Sequence, residues 1–204
     1  MKEDEKILIR AFYSQSLDLD SNVNKGELVL HTLLKFSCNS ILNLILENFN
    51  YFSIEKKDIP QFSDINDCFD KVPFLLENCG IDGVDYRQMG YLLRTEPRKE
   101  GADKKYGENH MKTAALMGLC SIKKRKAYIN TITTAFNKLS NEERKDIRPK
   151  LALHIPFIQN YYFDGASQEA LMKNLSILSE STIIRRKPNC VTLIEIIDKS
   201  LFSS

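Results

Sequence analysis

Three stretches of this chain gather the side chains that could contact a polyanion. The first is Lys104-Lys105-Tyr106-Gly107-Glu108-Asn109-His110-Met111-Lys112-Thr113-Ala114-Ala115. On a helix, positions 105, 109 and 112 share one face and positions 106, 110 and 113 share another. Both faces are polar, whereas Met111, Ala114, Ala115 and Gly118 can turn to a core. A helix that reads DNA needs this division. An amide can pair with adenine edges, a lysine with guanine or phosphate, and a hydroxyl with phosphate. The second stretch is the cationic run Lys123-Lys124-Arg125-Lys126. Its contacts with a nucleic acid backbone would be independent of sequence and sensitive to salt. The third runs from Ser179 to Lys187, where Ser181 and Thr182 precede Arg185, Arg186 and Lys187, with Ile183 and Ile184 as anchors. Hydroxyls at a helix start followed by paired arginines suit phosphate and guanine.

The surrounding pattern predicts the elements that carry these residues. Gly26–Phe49 is apolar and free of proline, which predicts mostly helix, and 50–57 alternates as a short strand would. Ile59-Pro60 marks a boundary. Helical spacing resumes over 64–78, with Pro73 as a kink or a shifted start, then a cap at Gly80 and a turn over 81–83. Asp85, with Gln88 three residues on, predicts a helix over Tyr86–Leu93. A polar loop over 95–103 should lead to a third helix over 105–118. A hairpin over 119–132 would carry the basic run at its tip, and a short helix over 133–139 would follow. Helix, helix, helix, hairpin is the order of a winged helix-turn-helix. Beyond 140 the chain reads as helical. Ser140 and Glu143 form a capping-box pattern, Pro149 splits the stretch before 151–163, and Asp164-Gly165 makes a turn. A helix over 167–178 precedes a last one over 179–199, which Pro188 kinks or restarts.

Composition narrows the function classes. The chain has 204 residues, 27% charged and 43% apolar, as a globular protein does. No apolar run approaches the roughly 20 residues of a membrane span. The acidic start lacks the apolar region of a signal peptide, so the expected location is the cytoplasm. The net charge of +2 conceals a division: residues 1–80 hold 8 Lys/Arg against 13 Asp/Glu, and residues 81–204 hold 21 against 14. The basic part is where a polyanion would bind. Five cysteines without a C-x-x-C pair and three scattered histidines predict neither a disulfide framework nor a metal site. No cofactor is implied.

The segment Tyr106-Gly107-Glu108-Asn109-His110, followed by Lys112-Thr113-Ala114 and Leu116-x-Gly118-Leu119, resembles a helix-turn-helix pattern of prokaryotic DNA-binding modules found beside restriction-modification genes. Ser181-Thr182 with Arg185-Arg186 is similar to the closing helix of that arrangement. The resemblance covers about 62–199. It implies tandem winged-helix units that bind double-stranded DNA, as a recognition subunit or regulator in restriction-modification or another defence system. Pro188 departs from a continuous last helix.

The expected fold is therefore mainly α with a small β component. An acidic helical region (1–60), able to dimerise or dock a nuclease or helicase, precedes a winged-helix domain (61–139) and a second helix-turn-helix-like domain (140–204). Two other classes stay open. One is a small metal-dependent nuclease on Glu55-x-Lys57, with Asp18, Asp20 or Glu47 as the second acid. The other is an interaction module without DNA binding.

Overall fold

A computed structural model describes residues 2–13, 24–79, 82–94, 96 and 100–202. It is mainly helical with one small antiparallel sheet, as the sequence predicts. The expected second acids Asp18 and Asp20, the cap at Gly80, and residue 81 and part of the 95–103 loop lie outside the described residues.

The N-terminal third forms α1 (Glu3–Tyr13), α2 (Asn24–Lys35) and α3 (Cys38–Asn48). The apolar run expected as mostly helix is helical in two pieces, with a turn of 107° between α2 and α3. Ser37 makes the break, because its side chain accepts the Ser40 N–H and caps α3. No single helix here is long and apolar enough to cross a membrane; the bent pair α2–α3 passes by length and composition only. Its residues Leu30, Leu33, Ile41 and Ile45 are fully buried within the protein.

The strand expected over 50–57 does not form. Both backbone groups of Phe52 are taken by the Asn160 amide, its N–H at 2.9 Å and its carbonyl at 2.8 Å, so no strand partner is needed. This segment then leads through Pro60 to α4 (Ile65–Asp70) and α5 (Val72–Asn78). Asp64 caps α4 through the N–H groups of Asn66 and Asp67. Pro73 sits in the first turn of α5, where its missing N–H has no cost.

Next come β1 (Val84–Asp85), α6 (Tyr86–Leu93) and α7 (Glu100–Leu116). Asp85 accepts from Arg87 and Gln88 as the sequence predicts. The hairpin follows as β2 (Ser121–Lys123) and β3 (Lys126–Tyr128), and β1 pairs on the far side of β3, giving the order β1-β3-β2. Val84 and Ile122 both face Ala127 in register, which seats the sheet on the core. Then α8 (Thr131–Lys138) starts at Asn130, in a reciprocal box with Thr133.

The last four helices are α9 (Asn141–Ala152), α10 (Pro156–Phe163), α11 (Gln168–Leu175) and α12 (Glu180–Phe202). Two expected breaks are absent. Pro149 lies inside α9, one turn from its end, and the break comes instead at 153–155, before Pro156. Pro188 lies inside a continuous α12. Its ring is exposed, and so is Ile184, whose carbonyl loses its intrahelical donor and can turn to water. Buried side chains of 1–60, 61–139 and 140–204 join one continuous apolar cluster.

Candidate nucleic-acid interface

Two glycines set the position of α7. A Cβ on Gly107 would lie 2.0 Å from the Tyr86 carbonyl oxygen, and one on Gly90 would lie 1.8 Å from that of Asp103. The backbones of α6 and α7 therefore touch where they cross, which only glycine permits. Arg94 closes the open end of this corner with a 2.6 Å ion pair to the buried Asp103, and its guanidinium stacks 4.2 Å over the Tyr106 ring.

The expected face of Tyr106, His110 and Thr113 is turned inward, which corrects the outward orientation read from the sequence. His110 is fully buried: Nδ1 donates to the Tyr106 carbonyl at 2.8 Å, and Nε2 accepts the Asp64 N–H at 3.0 Å. These two bonds fix the neutral tautomer. Burial accordingly holds its pKa below the ordinary 6.5. Thr113 is also fully buried and its hydroxyl oxygen accepts the Gln61 N–H at 3.1 Å. Tyr106 is half-buried, its ring 4.1 Å from that of His110. These residues fasten the 61–64 strap onto α7 and are not free to read bases.

What α7 presents to solvent is a different stripe. Gly101, Lys104 and Lys105 are exposed, and Glu108 and Lys112 are half-buried one and two turns on. Glu108 holds Lys105 at 3.0 Å and Lys112 at 2.5 Å. Lys112 also approaches the Tyr86 ring, and Tyr86 follows Asp85, the register partner of Lys126 in the hairpin. Lys112 of α7 and the base of the hairpin tip therefore meet the same corner at residues 85–86.

At that tip Lys123, Lys124, Arg125 and Lys126 are all exposed. Lys124 and Arg125 have φ of 47° and 64°, the left-handed pair of a two-residue type I′ turn. This geometry ordinarily selects Asn-Gly, so two long cations here carry backbone strain.

The third sequence stretch meets the first across the strap. Arg186 donates to the carbonyls of Lys56 and Ile59, at 2.8 and 3.2 Å, and Asn189 donates to that of Ser63 at 2.6 Å. With α7 fastened to the other side of the strap, Lys105 and Asn109 face Thr182, Arg185 and Arg186 across a cleft of about 410 Å³. Gln61 and the exposed Phe62 lie between them. Burial lowers the pKa of Arg186 below that of a free guanidinium, and Arg185 beside it also disfavours the charge. Neither arginine meets a carboxylate among the described residues. Ser181 stays exposed and Lys187 half-buried at the edge.

The expected nuclease pair is placed differently. Glu55 and Lys57 sit in a loop, exposed and ion-paired at 3.0 Å. Among the described residues no three His, Cys, Asp or Glu side chains gather as metal ligands.

Sequence reasoning missed Gly90, Gly107 and the Gln61-Phe62 strap. Glycines in mid-helix were a usable signal for close packing. The strap had none, because its bonds to α7 and α12 span 46 to 126 residues. Comparison with protein-family models, curated proteins and solved structures gives no significant match to this chain.

Proposed function

We propose that this chain binds double-stranded DNA through α7 and the basic hairpin, which together work as a winged helix-turn-helix. The supporting observation is the arrangement of parts. Strand β1 is followed by α6 and a tightly crossed α7, then by a hairpin whose second strand pairs back with β1. The base of the cationic tip, at Lys126, and Lys112 of α7 meet the same corner of this unit, at Asp85 and Tyr86. In this reading α7 lies along the major groove, with Lys104, Lys105 and Lys112 on phosphates or guanine edges. The tip of 123–126 follows the backbone or the minor groove. Glu108, held between two lysines, orients them and can accept from cytosine N4.

A role in restriction-modification or another defence system rests on the resemblance of the 106–119 segment. A second DNA contact through the start of α12 rests on Ser181, Thr182, Arg185, Arg186 and Lys187, without a wing of its own.

The test is titration of a labelled random duplex with the intact chain and with a Lys104→Ala/Lys112→Ala variant. Both side chains are at least partly in solvent, so the fold should survive. Each lost phosphate contact should lower the salt slope by about 0.9, so the pair should lower it by about 1.8. Unchanged affinity and slope would remove α7 from the interface.

A further inference from the structure

The cleft between α7 and α12 has features that duplex binding does not use. It is concave, whereas a duplex groove is read by a convex element. Its volume of about 410 Å³ falls in the range of small-ligand sites. Three cations line it, Lys105, Arg185 and Arg186, and no Asp or Glu does. Of these three cations Glu108 pairs only with Lys105. Among the described residues Arg185 uses only Nε, on the Ser181 carbonyl at 3.2 Å, so its two terminal nitrogens can take an anion in a fork.

An anion accounts for only half of the lining. Asn109 is nine-tenths buried in the cleft wall, and its Oδ1, shut off from solvent, meets no donor among the described residues. A buried carbonyl oxygen without a partner carries a full desolvation cost. A phosphate oxygen cannot relieve it, since both are acceptors. The group that fits there carries an N–H. Beside it Phe62 is 59% exposed, a flat apolar ring open to the same cleft.

The geometry points to a nucleotide site: a phosphate held by Arg185, Lys105 and Thr182, and a base stacked on Phe62 with an N–H donated to Asn109 Oδ1 once a half-turn of the amide brings that oxygen to the cleft. Its source is either a free mononucleotide or an unpaired nucleotide within a single strand. The site shares Lys105, Thr182 and Arg185 with the duplex reading, but Phe62 and Asn109 belong to it alone and the hairpin takes no part in it, so the two readings are tested apart.

The experiment is calorimetric titration of the full chain with dAMP, deoxyribose 5-phosphate, inorganic phosphate and a five-nucleotide single strand. dAMP should bind about tenfold or more tighter than either base-free probe. Arg185→Ala should weaken dAMP about tenfold or more, since a charge-assisted fork is lost. Phe62→Ala should weaken it about tenfold while leaving duplex affinity unchanged. Asn109→Leu fills the same space without the unpaired oxygen. It should weaken dAMP severalfold yet leave the unliganded protein at least as stable, which separates lost binding from lost folding. A single strand that binds tenfold tighter than dAMP and is displaced by it assigns the strand as the source; equal or weaker binding assigns the free nucleotide. No heat with millimolar dAMP, equal affinity for inorganic phosphate, or full dAMP affinity in Arg185→Ala overturns the site. A Lys124→Asn/Arg125→Gly variant that loses duplex but keeps dAMP shows that the two surfaces fail separately.

Discussion

The turn at 124–125 allows folding and binding to be pulled in opposite directions. Both residues adopt left-handed backbone, at φ 47° and 64°, and both are exposed cations between two more. A left-handed conformation costs a non-glycine residue roughly 1–2 kcal/mol. Lys124→Asn/Arg125→Gly supplies the pair that a type I′ turn prefers. The unfolded-state entropy of the new glycine returns about 0.5–1 kcal/mol of that relief. The net expectation is a gain of about 1 kcal/mol, or about 3 °C in Tm for a chain of this length. The same change deletes two phosphate contacts. At about 0.9 per contact, the salt slope should fall by about 1.8, which at about 0.1 M salt amounts to roughly 50-fold in affinity. Thermal unfolding and duplex anisotropy across a salt series read the two effects on one preparation. A variant that melts higher but binds duplex with the parent slope would refute the hairpin's role in binding. A variant that melts lower would refute the account of the turn.

Two further outcomes follow from the packing. Gly107→Ala drives a Cβ into the Tyr86 carbonyl and the Gly90 backbone, so it should cost several kcal/mol or abolish folding, while Gly101→Ala meets nothing within 4 Å and should be neutral or gain up to about 1 kcal/mol; equal melting of the two would contradict the backbone contact of α6 and α7. Burial lowers the pKa of both His110 and His154 from 6.5, so the unfolded chain takes up protons that the folded chain refuses once pH falls below that value. Stability is therefore full above about pH 7 and declines on acidification, by up to about 1.4 kcal/mol per pH unit for each histidine. Urea unfolding at pH 7.5, 6.5 and 5.5 reads this, and a flat profile would contradict it.

Local signals in the sequence carried as far as local chemistry reaches. Asp85 and Ser140 cap their helices through neighbours two to three residues away, and the hairpin is announced by its flanking alternation. Strand β1 is two residues long and exists only because β3 lies beside it. The helical prolines escaped for a related reason. Pro188 is tolerated because the turn before it is exposed, and exposure is a property of the whole fold. The face of α7 was the costlier misreading. Its two polar faces look alike in composition, and what buries one of them is hydrogen bonding from Gln61, Ser63 and Asp64. Apolar periodicity cannot register a face buried by polar contacts. The cationic tip and the two stretches that meet at the cleft were visible as residue types, but not their meeting across the strap.

The most direct test of the central claim is titration of the intact chain against a random duplex at about 50 to 200 mM salt. DNA binding through the stripe of α7 and the hairpin predicts measurable affinity at the low end and a straight fall of log affinity with log salt. Five or so phosphate contacts from the two elements give a slope of about −4 to −5. No binding at about 50 mM salt, or binding that does not change with salt, would contradict the account.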